Sequence, residues 1–474
     1  MRNSFFRITA ITLTLAMLGL GCKGTSEEVA SRYKPVTLTY WRMFDDSDDF
    51  AEIIAAYRQS HPNIQIQYKK FRPEEYEKAL LEAFAEDRGP DLFTVHNTWV
   101  GAYANKILPM PANIEIPKMT MEGTIKKEPK VILESYKTPS INAFKKIFVD
   151  VVSTDAVRDV AVGTKGNQFE KKVLGVPFSV DTLAMFYNND LLAQAGIATP
   201  PKYWDELQNA VKLITKVNKD DTIAQSGAAL GTAININRAG DIVSLLMMQN
   251  GTRMADDFGR ATFNSTPPEL VKQREVSPGI EALMVYTEFA NPLETIYTWN
   301  SKLPESFEAF ADGKTAFFFG YNYHIELLAA RAPKLNYSIS TVLQPRGDAS
   351  VNMASYYLET VSKKTKYPNE TWDFLLFATT RKENTQKYLA KTKRPTALRE
   401  LIDVQIKDEQ VPQRIPFAQQ LLTAKSWYRG KDSAAMEAIM RDMIEEALAN
   451  APIDPREAFE NAINRAVNRV NQTL

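Results

Sequence analysis

The stretch GVPFSVDTLAMFYNNDLL, residues 175–192, decides how the rest of the chain is read. An apolar, turn-bounded run at 176–179 leads into an acidic residue, Asp181. A second apolar run at 183–187 then ends on Asn188, Asn189 and Asp190 and a helix start. Strand, short polar break, strand is how a chain crosses from one domain to another through an extended hinge. Taken alone, these residues fit an ordinary pair of core strands better, so the flanking sequence has to decide.

Upstream, the patterning is regular. VTLTYW (36–41) and IQIQY (64–68) alternate as half-buried strands. Between them Phe50, Ile53, Ile54 and Tyr57 recur at helical spacing, with Ser47 or Asp48 as the cap. Pro73 opens a second helix whose Tyr76, Ala79, Leu80, Ala83 and Phe84 share one face. Gly89, Pro90 and Asp91 break it, and LFTV (92–95) reads as a buried strand. This β-α-β-α-β order implies an α/β lobe with helices on both faces of a sheet. Residues 111–172 are weakly patterned, with a strand or helix at 147–152 and a polar loop at 163–167. Downstream, Trp204, Leu207, Val211 and Ile214 mark a helix, 243–248 a buried apolar segment and 280–289 another helix. Two amphipathic helices close the chain, one through Met436, Met440 and Met443, the other through Phe459, Ile463 and Val467.

A length of 474 residues suits two domains rather than one core. Hydrophobic content of 44% beside 24% charged residues is that of a globular protein. Lys plus Arg and Asp plus Glu balance at 57 each, so there is no basic excess of the kind that nucleic-acid binding calls for, and no nucleic-acid partner is expected. Arg2 and Arg7 precede a short apolar run at 8–20 that ends in LGLGC (18–22), and Cys22 is the only cysteine. The run is shorter than the roughly 20 residues a spanning helix needs. It resembles a bacterial lipoprotein signal, cleaved before a lipidated Cys22, although Gly19 and Leu20 make the lipobox a permissive one. Residues 1–21 are then a signal peptide and 22–35 the lipidated cysteine and a flexible tether, so the expected address is extracytoplasmic and lipid-anchored.

The 175–192 pattern, continued by Ala195-Gly196, Pro200-Pro201 and Trp204-Asp205-Glu206-Leu207, resembles the family 1 extracellular solute-binding proteins, the maltose-binding-protein-like receptors of bacterial ABC importers. HPNIQIQY (61–68), YEKALLEAFA (76–85) and GPDLFTV (89–95) resemble that family's second strand, second helix and Gly-Pro-Asp strand. SFEAFADGKTA (306–316) resembles its Phe-x-x-Gly-Lys-x-Ala signature, and LQPRG (343–347) its Pro-x-x-Gly turn. The resemblance implies an α/β, two-lobed, periplasmic-binding-protein-like fold of type II, each lobe a sheet flanked by helices, joined by a multi-strand hinge. The implied lobes are discontinuous, 36–178 plus 314–358 for the first and 179–313 plus 359–474 for the second. It further implies a monomeric receptor that closes on a small solute, a sugar or oligosaccharide, and delivers it to ABC permease transmembrane subunits. A polyol phosphate, polyamine or peptide receptor and a secreted carbohydrate-active enzyme are the alternatives.

Catalytic patterns point nowhere. The three histidines are widely separated, and neither His-Glu-x-x-His nor Gly-x-Ser-x-Gly occurs. Gly313-Lys314-Thr315 mimics the end of a phosphate loop, but Glu308 stands where that motif has glycine, and a helix-terminal glycine explains it better. No cofactor, metal or catalytic residue is expected. Sugar capture calls for aromatic faces against pyranose C–H groups, with carboxylates and amides for the hydroxyls, at strand ends that face a cleft. The expected ligand-binding residues are Trp41, Asp45, Asn97, Trp99, Asp181, Tyr321, Tyr323, Tyr356 and Trp427. The resemblance places Asp181 at the crossover acid and Tyr323 at a stacking tryptophan. Tyr356 and Tyr357 fall where relatives carry a Gly-Trp pair.

Overall fold

The computed structural model describes residues 33–474 apart from 125, 163–167, 221, 348 and 451–454. The expected signal peptide, the lipidation at Cys22, nearly all of the tether and the 163–167 loop lie outside the described residues.

In the first lobe β1 (Val36–Met43) pairs parallel with both β2 (Ile64–Phe71) and β3 (Leu92–His96). Alternation sets its faces, since Val36, Leu38 and Tyr40 are buried while Thr37 is exposed. The helix Ser47–Ser60 covers the sheet with Phe50, Ile53 and Tyr57; its cap is Asp46 rather than Ser47 or Asp48, and the Asp49 carboxylate accepts the Asp46 N–H at 2.8 Å. The helix Pro73–Ala85 starts on proline, whose fixed φ suits a first turn, and buries Tyr76, Leu80, Ala83 and Phe84. The Asp91 carboxylate accepts from the backbone and hydroxyl of Thr39, both at 2.9 Å, which ties the Gly-Pro-Asp turn to β1.

Residues 111–172 hold two hairpins and two short helices. β4 (Asn113–Glu122) pairs with β5 (Glu128–Lys137), and β6 (Val157–Val162) with β7 (Gln168–Val173). The helices Ile141–Ile147 and Asp150–Ala156 lie between them.

β8 (Asp181–Thr182) and β9 (Ala184–Asn188) carry the chain into the second lobe. Its sheet comprises β9, β10 (Lys216–Val217), β11 (Ile223–Ala228), β12 (Thr315–Gly320) and β13 (Tyr337–Thr341), in the order β10-β11-β12-β9-β13. β12, buried along its whole length, is its centre, antiparallel to β9 and parallel to β11. The chain returns through β14 (Asn352–Ser355), and β15 (Tyr357–Val361) adds antiparallel to β3 in the first sheet. The last crossing is β16 (Ala424–Lys425). β8, β14 and β16 form a small sheet of their own, the three-strand hinge.

The expected lobe boundaries therefore need correction. Residues 314–351 stay in the second lobe, because β12 and β13 find their backbone partners on β9. Residues 359–406 belong to the first: β15 joins its sheet, and Trp372, Phe374, Tyr388 and Leu401 share one core with Tyr40, Tyr57 and Phe93, whereas Phe417 packs against Phe186 and Phe318 of the second. Trp299, Phe317, Leu283, Met443 and Ile463 fill the second core, so the two closing helices do pack there.

Candidate functional site

The hinge strands form the floor of a cleft. There the loop after β3 approaches the N-terminal turn of the helix Ala239–Gln249 and one side of the helix Ser433–Asn450. The cavity they enclose has about 40 Å³ of room, lined from the first lobe by His96, Asn97 and Thr98 and from the second by Arg238, Asp241, Ser244, Glu437 and Arg441. Such a space has room for a few waters.

One wall is aromatic. Tyr357, at the start of β15, lies 5.1 Å from His96, 5.6 Å from Phe44 and 6.4 Å from Trp99, ring centre to ring centre. Phe44 is exposed and holds φ at 69°, a left-handed backbone that L residues adopt at a cost of about 1–2 kcal/mol. Such strain collects at binding sites. The opposite wall is polar and tyrosine-flanked. Arg238 Nε donates to Asp241 Oδ2 at 2.8 Å, the Tyr321 hydroxyl donates to the same oxygen at 2.6 Å, and the guanidinium lies 5.3 Å from the Tyr321 ring. Tyr323 stacks on Tyr321 and on His324 and is exposed. The walls sense each other. Burial, opposed by Arg238, raises Tyr357 to about 12, while burial and Arg238 together hold His96 down to about 4. Glu437 is raised, first by burial.

The expected residues divide. Trp99 stands in the aromatic wall, stacked on Tyr103 at 6.2 Å, and Tyr323 stands in the facing one, backed by the buried Tyr321. Asn97 and Trp427 line the cavity, but Asn97 donates to Asp155 at 3.1 Å and the Trp427 indole donates to Ser244 at 3.2 Å. Asp181 sits at the first crossing. Its oxygens accept the Thr182 and Asn322 backbone N–H groups at 2.8 and 2.9 Å, which fastens the hinge to the Tyr321–Tyr323 loop, and burial still raises it to about 7.

Three expected residues lie outside the cavity lining and are engaged elsewhere. Asp45 is buried in a first-lobe ion network: Arg42 and Arg394 each approach its carboxylate at 2.6 Å and Tyr388 donates at 3.1 Å. Tyr356 is buried, and its hydroxyl donates to Asp155 at 2.9 Å inside the first lobe; Tyr357, its neighbour, packs on His96 and feels Arg238 and Tyr323 of the second lobe. Trp41 packs on Phe71 at 4.6 Å with Lys69 over its ring, on the β2 side of the sheet. Sequence reasoning missed Phe44, Arg238, Asp241 and Glu437. A polar turn, Asn237-Arg238, opening the apolar helix Ala239–Gln249 was the available signal for the middle two.

Comparison with known proteins agrees with this architecture. A profile of bacterial extracellular solute-binding proteins matches residues 45–385. The diacetylchitobiose binding protein DasA of Streptomyces coelicolor is 21% identical over 350 residues, which span 72% of this chain and 70% of that one. An ABC substrate-binding protein of Listeria monocytogenes in complex with cycloalternan superposes with a TM-score of 0.62 at 16% identity, over 93% of this chain and 99% of that one. The cyclic alpha-maltosyl-1,6-maltose binding protein of Arthrobacter globiformis gives 0.65 at 16% identity, over 93% and 99%. Two lobes, a three-strand hinge and a profile match across most of the sequence agree: the chain belongs to the bacterial extracellular solute-binding proteins.

Proposed function

We propose that the chain captures a sugar or oligosaccharide between its lobes and delivers it, unaltered, to the transmembrane subunits of an ABC importer. The observation that carries this reading is the pairing of an aromatic wall, Phe44, Trp99 and Tyr357, with a hydrogen-bonding wall, Tyr323, Arg238, Asp241 and Glu437, across a hinge. Aromatic faces suit the apolar side of a pyranose, and the charged and hydroxyl groups suit its rim. Ligand that contacts both walls binds the closed state more tightly than the open one, and closure gives the permease a surface to recognise. The cycloalternan in complex with one structural neighbour, the cyclic alpha-maltosyl-1,6-maltose named for another and the diacetylchitobiose named for DasA point to the same ligand class. The apolar run ending at Cys22 supports a lipid anchor on the outer side of the membrane, and among the described residues no helix is long and apolar enough to cross one.

A thermal-shift screen of residues 23–474 against mono- and oligosaccharides, with peptides and polyamines as counter-ligands, tests the reading. One sugar class should give a saturable stabilisation, roughly 2.7 kcal/mol at a hundredfold excess over Kd. Stabilisation by a peptide or polyamine alone would refute the ligand class.

A further inference from the structure

Two serines at the hinge end of the cleft have their hydrogen-bonding sense set by neighbours behind them. The first depends on His96. The Thr98 backbone N–H can only donate, and it points at His96 Nδ1 at 3.4 Å, with the Thr98 hydroxyl at 2.8 Å from the same nitrogen. Nδ1 is then the acceptor, and the ring proton sits on Nε2. Burial keeps the ring neutral at physiological pH. Nε2 lies 3.0 Å from Ser355 Oγ, so the serine accepts from it and keeps its own proton for another partner.

The second serine shows the opposite sense. Ser426 Oγ lies 2.5 Å from Oδ1 of Asp155, a fully buried carboxylate that also accepts from Asn97 at 3.1 Å and from Tyr356 at 2.9 Å. A carboxylate ringed by donors makes Ser426 donate inward, which leaves its lone pairs for a partner on the cleft side. Both serines are half-buried and line the same cavity. Met353 pairs with Lys425, which sets Ser426 opposite Ala354, the neighbour of Ser355, just beyond the end of β16.

We propose that Ser355 and Ser426 are a donor and acceptor pair that recognises two neighbouring neutral hydroxyls of the ligand, with His96 and Asp155 as the positioning residues that fix the pair's sense. The inference rests on the sugar reading and adds a selection rule to it. The group facing Ser426 must donate; an ether, fluorine or carbonyl there would set acceptor against acceptor in a closed site. Hydroxyls satisfy both positions, because each can donate and accept.

Joint X-ray and neutron diffraction from ligand-free residues 23–474 in D2O tests the sense directly. The expected result is deuterium on His96 Nε2 and not on Nδ1, the Ser426 deuteron toward Asp155 and the Ser355 deuteron toward the cleft. Deuterium on Nδ1, or a Ser355 deuteron directed at His96, overturns the proposal. Calorimetric titration with maltotetraose supplies the second reading: Ser355→Ala and Ser426→Ala should each weaken binding about tenfold, the loss of one hydrogen bond. Wild-type affinity in both variants also overturns it. Absence of heat with wild-type protein rules out maltotetraose as the ligand and moves the titration to the sugar that stabilises the chain most, while the deuteron positions still decide this one.

Discussion

Replacing Tyr356 and Tyr357 one at a time separates packing from recognition. The Tyr356 hydroxyl donates to the buried Asp155 at 2.9 Å and lies 3.3 Å from the Val151 carbonyl oxygen. Tyr356→Phe leaves those acceptors short of a donor, at a cost of about 1–3 kcal/mol. At roughly 2–4 °C per kcal/mol for a unit of 150–250 residues, the melting temperature should fall by about 5 °C. Sugar affinity, measured by calorimetry below that transition, should stay within about twofold, because the ring faces the first-lobe core. Tyr357→Ala should do the reverse. It removes the ring that joins Phe44, His96 and Trp99 in one wall, so affinity should fall about tenfold or more, an aromatic contact being worth about 0.5–1.5 kcal/mol beyond the area it covers. Tyr357→Phe keeps that ring and should bind nearly as wild type. Loss of binding in Tyr356→Phe without loss of stability, or full affinity in Tyr357→Ala, would refute the assignment of the two tyrosines.

Three further outcomes follow from the geometry. Burial holds Asp181 near 7 against an ordinary 3.8. The folded chain thus keeps a proton that the unfolded chain loses, and Asp181 lowers stability progressively from about pH 4 to 7 and by a constant amount above. The stability of Asp181→Asn relative to wild type, measured by urea titration across pH 4–8, should rise over that window; a pH-independent difference contradicts the buried carboxyl. Phe44→Gly relieves the left-handed backbone and should raise stability by about 1 kcal/mol while weakening sugar binding, so a variant that loses both stability and affinity would show that Phe44 is a packing residue. At Gly279 an added Cβ would stand 2.0 Å from the Phe263 carbonyl oxygen. Gly279→Ala should lower the urea midpoint by an amount equivalent to about 2 kcal/mol, with sugar affinity unchanged, since the contact lies in the second-lobe core.

The elements of the first lobe were legible because each rests on local pattern: alternation in β1 and β2, helical spacing in Ser47–Ser60 and Pro73–Ala85, proline and glycine between them. The crossover at Asp181 was legible from its polar break and its family resemblance. Strand partnership was not. Three consecutive phenylalanines in β12 announce burial on both faces but carry no sign of which sheet receives them, and their partners on β9 lie about 130 residues upstream along the chain. The hairpin β4–β5 escaped notice because lysine and glutamate stand on both of its faces, which removes the two-residue period. Asp45 looked like a cleft acid because two of its partners, Arg394 and Tyr388, are remote in sequence, and the nearby Arg42 alone does not announce a buried ion network. Tyr356 and Tyr357 are adjacent and chemically alike, so only the strand's facing distinguishes the core ring from the cleft ring.

A crystal structure of the chain with the sugar that stabilises it most would test the central claim directly. The account predicts the sugar between the lobes, one pyranose face against Tyr357 and Phe44 or Trp99, its hydroxyls reaching Arg238, Asp241 or Glu437, and the lobes closed around it. Sugar bound on the outer face of one lobe, with the cleft walls untouched, would contradict it.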